Sequence, residues 1–221
     1  MITNLEDSSK AVRIISTRSR RADLSPVQLK EVHRTLGQLL SYEYVGMLNL
    51  ARVEINHVQG TKKGLDIASY EFTLILVMMR SGLYVADGFR EILDSHSRLE
   101  FVYEKGDALK IFGSYNLNNV NVVIIDSVIN TGKSVKEIID ILPNCKSITI
   151  VCQVMHSGFA RSSFVVNENI HFITCRISEN FYVGNGKTDT GNRLFGHVPE
   201  SVFEQLDSTH PENVHDTFLH I

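Results

Sequence analysis

Cysteine is scarce in this chain of 221 residues, which has only Cys145, Cys152 and Cys175. Their number is odd, none forms a CxxC pair and they lie in apolar runs. That excludes a disulfide framework and a zinc knuckle and makes them small core residues. Neither sign of charge dominates: 22 Lys and Arg stand against 25 Asp and Glu, a net charge of -3. A nucleic-acid partner therefore has no electrostatic basis, and the expected ligand is a small molecule. No window reaches the roughly 18 apolar residues that a membrane span requires, and the opening MITNLEDSSK carries no apolar signal core. No membrane partner and a cytoplasmic location are expected. Internal repeats and low-complexity tracts are also missing.

With 43% hydrophobic and 21% charged residues, the chain suits one sizeable core. A single domain is expected over 1–221, with an N-terminal arm and helix at 1–50, a core at about 70–180 and a closing segment at 181–221. Ser25-Pro26 reads as an N-cap and first helical position. Leu29, Val32, Leu36, Leu39 and Leu40 then follow at helical spacing, so a long amphipathic helix is expected within 25–50. Before it, Arg18, Arg20 and Arg21 read as a solvated arm, the alternative being a reach across to a phosphate.

Residues 72–79, FTLILVMM, form an apolar run that ends in Arg80-Ser81-Gly82, after which Val85, Phe89, Ile92 and Leu93 recur with helical period. Residues 99–105 and 108–115 flank Gly106-Asp107 and read as an antiparallel hairpin, a candidate flap. Residues 122–125 begin a second strand, turn and helix, with Val135, Ile138, Ile139 and Leu142 on one helical face and Pro143 as its stop. SITIVCQVM and IHFITCRI supply two further strands. Continuous apolar strands interleaved with helices predict an α/β fold: a mostly parallel twisted sheet flanked by helices, with the hairpin attached. The tail from about 199, with irregularly spaced His210, His215 and His220, reads as solvated and loosely packed. Met78 and Met79 read as core or pocket wall.

In such sheets ligands settle beyond the carboxyl ends of the strands, where a turn into a helix offers unpaired N–H groups and the positive end of the helix dipole. Asn130-Thr131-Gly132-Lys133-Ser134 provides a glycine for close approach, two hydroxyls and one cation, which suits a phosphate monoester. Asp126, just before it, would repel that phosphate and so suits sugar hydroxyls or a metal. Phosphate and sugar together indicate a phosphorylated ribose; the bland alternative is an ordinary capped βα loop. Gly132-Lys133-Ser134 also matches the end of G-x-x-x-x-G-K-[ST], but the first glycine of that motif falls on Ser127, which weighs against a nucleotide-hydrolase P-loop.

The same segment resembles the phosphoribosyl pyrophosphate (PRPP) signature of type I phosphoribosyltransferases: an apolar strand, an acidic residue and a T-G-x-[ST] turn. Three further segments narrow the resemblance to the uracil phosphoribosyltransferase family. MMRSGLYVADGF resembles its L-R-A-G-L-x-x-x-D-G-L pyrophosphate loop, YVGNGKTDTGNRLFG resembles its Y-I-V-P-G-L-G-D-A-G-D-R-x-F-G-T uracil segment, and LGQLLSYE resembles its I-G-x-L-L-A-Y-E helix. The resemblance runs over about 17–198. It implies that Arg80, Ser81 and Gly82 hold pyrophosphate, that Asp126 holds ribose hydroxyls, and that Asn130, Thr131, Gly132, Lys133 and Ser134 hold the 5'-phosphate. It further implies that Tyr182, Val183, Thr188, Asp189 and Thr190 form the uracil site. Asp189 would face the reaction centre and PRPP, and with Arg80 would carry the catalytic roles. Mg²⁺ would arrive with PRPP rather than on a direct protein site, and a homodimer or higher homo-oligomer would form. The implied activity is transfer of ribose 5-phosphate from PRPP to uracil, giving UMP and pyrophosphate.

Among the departures from the pattern, five bear most on the site. D-P-M-x-A-T-G-G-S is here DSVINTGKS, with Ser127 for proline and Lys133 for glycine; lysine is strained there if the position needs positive φ. Glu104 stands where the family has a flap arginine, with Lys105 beside it, and Thr188 and Asn192 replace a glycine and an aspartate. These departures motivate an alternative: a weak or inactive relative that binds PRPP or UMP as a sensor or interaction subunit. An RNA-binding regulator on the same fold is disfavoured by the acidic balance.

Overall fold

The protein is described by a computed structural model covering residues 1–166, 169–182 and 188–196. Six parallel strands form one sheet in the order β1-β8-β7-β6-β4-β5: β1 (Ile2–Asn4), β4 (Thr73–Met78), β5 (Ser97–Val102), β6 (Asn121–Ile129), β7 (Ser147–His156) and β8 (Ile170–Ser178). Beside it stands a two-stranded antiparallel hairpin of β2 (Leu50–His57) and β3 (Gly60–Ile67). The helices are α1 (Leu5–Ser8), α2 (Lys10–Ser19), α3 (Pro26–Val45), α4 (Leu83–Arg90), α5 (Lys105–Ser114), α6 (Lys133–Ile139), α7 (Ser157–Ala160) and α8 (Thr190–Phe195).

The central strands are apolar on both faces because both faces are covered. Leu74, Leu76, Val122, Ile124, Ile150 and Phe172 pack on one side with Phe112 of α5 and Val135 and Ile138 of α6. Their neighbours Ile75, Val77, Val123, Ile125, Val151 and Ile173 pack on the other with Leu36, Leu40 and Tyr44 of α3 and Phe89 of α4. This is the period-2 alternation of a strand, with both sets apolar. The N-terminus of α3 follows the sequence. Ser25 Oγ accepts from the Gln28 N–H at 3.3 Å, Gln28 Oε1 accepts from the Ser25 N–H at 3.0 Å, and Pro26 opens the helix. Helices α3 and α4 meet closely, because a Cβ on Gly88 would lie 1.9 Å from the carbonyl oxygen of Arg34, and one on Gly37 would lie 2.1 Å from that of Val85.

One expectation is corrected. Residues 99–115 are not a hairpin: β5 joins the edge of the main sheet parallel to β4, and α5 follows it. The Gly106-Asp107 pair lies in the first turn of α5, where Asp107 Oδ2 accepts from the N–H groups of Tyr103 and Glu104 at 3.1 and 3.2 Å. The residue types that make a hairpin turn also cap a helix. The antiparallel hairpin is β2–β3 instead, closed by Val58-Gln59 with Gly60 at φ +93°. The long helix α3 ends at Val45 rather than near 50. Cys152 and Cys175 are buried and Cys145 is half-buried, and Arg18, Arg20 and Arg21 are exposed. The expected tail beyond 199 lies outside the described residues. Among those described, no helix is long and apolar enough to cross a membrane.

At the amino ends of the strands, Glu71 is 2% exposed. Its Oε2 accepts from Lys146 Nζ at 2.6 Å and Asn121 Nδ2 at 2.8 Å, and its Oε1 accepts from Asn49. Burial alone would raise its pKa, but these donors outweigh it and hold the carboxyl at about 2. A folded pKa below the unfolded one gives stability that is present above about pH 4.5 and lost as pH falls toward 2. Glu71 is therefore expected to contribute on the order of 3 kcal/mol near neutrality. In urea unfolding, Glu71→Gln should flatten the decline between pH 5 and 2; a decline as steep as the native one would contradict this role.

Candidate functional site

Strand order places the site. From β4 the chain moves outward to β5, then crosses back to β6 and proceeds through β7 and β8 the other way. The carboxyl ends of β4 and β6 thus flank a topological switch point, where the two connections diverge and leave a crevice. The loop after β4 carries Arg80, Ser81 and Gly82, and the turn after β6 carries Asn130 to Ser134, so the topology brings together two of the segments singled out in the sequence.

Strand β6 outruns β4. Their pairing ends at Val77 with Ile125, while β6 stays paired to β7 through Ile129. Asp126, half-buried, is therefore the first residue of β6 beyond its pairing with β4, and its Oδ1 accepts from Ser81 Oγ at 2.6 Å. Burial raises the pKa of Asp126, opposed by the Ser81 hydroxyl and the N–H groups of Ser127 and Val128. The Met79-Arg80 peptide is cis. Ser127, fully buried, donates from Oγ to the Ser81 carbonyl at 2.6 Å and stands 3.3 Å from His33 Nδ1. The serine that replaces proline therefore ties the two loops together.

His33 had no part in the sequence reading. Its signal was its place in the apolar register of α3, at the turn between Leu29 and Leu36. Burial lowers its pKa to about 3, with the nearby Arg193 charge adding to the shift, so it is neutral at pH 7.

In the turn, Gly132 takes φ +70° as the N-cap of α6, and a Cβ there would lie 2.1 Å from the ring of Phe159. Only glycine fits both constraints. Gly132 is the turn residue with positive φ, and Lys133 opens α6 with ordinary helical backbone, so the expected strain at Lys133 does not arise. Thr131, Lys133 and Ser134 are exposed. Thr131 Oγ1 accepts from the Lys133 N–H at 3.4 Å, and Lys133 Nζ stands 3.9 Å from Glu137. A cavity of about 140 Å³ is lined by Ser81, Glu104, Lys105, Asp126, Ser134 and Glu137, among others. Lys105 thus brings a cation to the wall where the departing Glu104 stands.

Residues 188–196 lie over the same end, where Asn192 meets Arg80. Asp189 caps α8, its Oδ1 accepting from the Asn192 N–H at 2.8 Å. Thr190 begins α8 and Thr188 is exposed, while Val183 lies outside the described residues. Arg80 Nη2 donates to Asn192 Oδ1 at 3.1 Å, so asparagine in place of aspartate still orients the arginine of the first loop. Arg193 donates to the carbonyls of Ser19 and Arg21 at 3.2 and 2.7 Å, pinning α8 to the N-terminal arm. Asn130 points away from a direct phosphate role: its amide pairs with the backbone of Tyr182. Chemically, the arrangement offers a cation, hydroxyls and a glycine turn for phosphate groups at both sides of an aspartate.

Known proteins resemble this chain in sequence and in fold. Residues 6–197 match the sequence model of uracil phosphoribosyltransferase. The uracil phosphoribosyltransferase of Malacoplasma penetrans is 25% identical over 192 residues, covering 81% of this chain and 92% of that protein. The uracil phosphoribosyltransferase of Dictyoglomus thermophilum is 26% identical over 192 residues with the same coverage, 81% and 92%. A solved structure of a protein from Aquifex aeolicus shares the fold with a TM-score of 0.66 at 18% identity, over 89% of this chain and 98% of that one.

Proposed function

The chain belongs to the uracil phosphoribosyltransferase family, and from that premise we propose that this phosphoribosyltransferase moves ribose 5-phosphate from PRPP to uracil, giving UMP and pyrophosphate. The observation that carries the reading is the junction at the switch point, where Ser81 of the first loop donates to Asp126 beside the phosphate turn at 2.6 Å. A substrate with a phosphate at one end and a pyrophosphate at the other, joined by a sugar, matches two anion-binding loops meeting at a carboxylate.

In this reading Thr131, Ser134 and the N–H groups of the turn take the 5'-phosphate, with Lys133 adding charge. Asp126 accepts from the ribose hydroxyls. Arg80, aligned by Asn192, and Lys105 face the pyrophosphate. A ring nitrogen of uracil attacks C1 of the ribose; the bond from C1 to pyrophosphate breaks with its electron pair leaving on the pyrophosphate oxygen, and the proton of the nitrogen passes to that pyrophosphate or to water. Positive charge develops on the sugar and negative charge on the leaving group, so preorganised charge on either side is the main requirement. Mg²⁺ brought by PRPP would neutralise the departing pyrophosphate, with the Asp189 carboxylate facing the shell of that ion. Backbone groups of Thr188 to Thr190 read the base edge, and pairing with uracil leaves them unpaired against cytosine.

Base discrimination tests this assignment. Initial rates with Mg²⁺-PRPP are expected to favour uracil over cytosine by at least about a hundredfold, because a buried unpaired polar group is costly. Comparable rates with cytosine would remove the uracil assignment. Tight PRPP binding with no turnover on either base would instead support the non-catalytic relative.

A further inference from the structure

Asn130 immediately follows β6 and precedes the phosphate turn. Its Nδ2 donates to the Tyr182 carbonyl at 3.2 Å, and its Oδ1 accepts from the Tyr182 N–H at 3.1 Å, across 52 residues of sequence. A side-chain amide carries donor and acceptor side by side, as a peptide group does, so this pair copies one step of strand pairing and fixes both partners in orientation. Tyr182 is gripped a second time through its side chain. The Arg176 guanidinium donates to the Tyr182 hydroxyl and stands 5.3 Å from the ring centroid. Arg176 is itself 5% exposed and rooted in β8, in a row with Val154 of β7 and Val128 of β6. Tyr182 is thus held from β6 by its backbone and from β8 by its ring, at the point where the base segment leaves the sheet.

We propose that Asn130 is a positioning residue that couples the two substrate subsites: occupation of the phosphate turn is transmitted through the Asn130–Tyr182 bridge into affinity for the base. Asn130 adjoins Thr131, so ordering of the turn by a phosphate fixes the Asn130 backbone and, through the paired amide, the start of the base segment. Alanine, which stands at this position in the pattern the segment resembles, could form neither bond. Two ligands linked through one shared element bind with a coupling free energy, and each must change the affinity of the other by the same factor. The inference rests on the phosphoribosyltransferase reading and adds to it a residue that acts through another.

Isothermal titration of the full chain with uracil, alone and with saturating ribose 5-phosphate, tests it. The native protein is expected to bind uracil about tenfold more tightly when ribose 5-phosphate is present. In Asn130→Ala that enhancement should fall to within about twofold, while affinity for ribose 5-phosphate stays within about threefold of native. Retained enhancement in the variant overturns the proposal, as does a native protein that binds both ligands independently. A tenfold or greater loss of ribose 5-phosphate affinity overturns it too, because Asn130 would then be a phosphate ligand. A native protein that binds neither ligand removes the phosphoribosyltransferase reading itself. Hydrogen exchange of the unliganded protein reports the bridge directly: the Tyr182 amide should exchange faster in Asn130→Ala with β6 and β8 unchanged, and unaltered protection of that amide would refute the bridge.

Discussion

Asp126→Ala is expected to lower kcat/KM for UMP formation by about a thousandfold, roughly 4 kcal/mol of transition-state stabilisation. The carboxylate has two duties in the account. It accepts from Ser81 Oγ at 2.6 Å, which holds the first loop against the second, and it faces the ribose hydroxyls while charge builds on the sugar. Alanine removes both. Asp126→Asn keeps an acceptor for Ser81 and removes only the charge, so it should lose about a hundredfold. Equal losses in the two variants would mean that the charge, and not the junction, carries the effect. The pH profile gives a second readout. Burial raises the pKa of Asp126, so activity should fall on acidification earlier than an ordinary aspartate would impose. Neither variant should unfold the protein, because burial already opposes the charged form at this position.

Gly88→Ala is expected to have the largest effect on stability. The added Cβ would meet the Arg34 carbonyl oxygen at 1.9 Å and its carbon at 2.7 Å, and both are helix backbone that cannot rotate aside. Helices α3 and α4 would have to separate, opening the layer that contains Tyr44 and Phe89. A loss of about 3 kcal/mol is expected, which for a chain of this size lowers Tm by about 10 °C. Gly113, also helical, has no atom within 4 Å of an added Cβ. Gly113→Ala should therefore leave stability unchanged or raise it by up to about 1 kcal/mol. Similar thermal midpoints for the two variants would show that the α3–α4 approach is not as close as described.

The parts of the fold that sequence reading reached are those with one dominant period. Residues 74–78 and 122–125 are apolar without interruption because helices cover both faces, and Leu29, Leu36 and Leu40 repeat as one buried face of α3. Residues 99–115 misled because Gly106-Asp107 suits a hairpin turn and a helix cap alike. The period-3 and period-4 recurrence of Ala108, Ile111, Phe112 and Tyr115 favoured the helix. The true hairpin, β2–β3, was not read although Ala51, Val53 and Ile55 alternate with polar residues in β2, because its partner β3 is mostly polar and most residues of both strands are exposed; β1 is only three residues long.

The candidate site divides in the same way. The loop after β4 and the turn after β6 were legible, since each is a local strand-to-helix turn with diagnostic residues. The contacts that assemble them were not. Arg80 meets Asn192 across 112 residues, Ser127 meets His33 across 94 and Asn130 meets Tyr182 across 52, and no local pattern encodes such pairs. Two of the five departures thereby acquire physical roles: Ser127 replaces a rigid proline with a hydrogen-bonded tie, and Asn192 keeps the acceptor that orients Arg80. The lysine that looked strained is not, because the positive φ belongs to Gly132.

Product analysis of the purified protein tests the central claim most directly. Given uracil, PRPP and Mg²⁺, the account predicts UMP and pyrophosphate in equal amounts, with formation of both lost in Asp126→Ala. Persistent PRPP and no UMP, from a folded protein that binds PRPP, would contradict it.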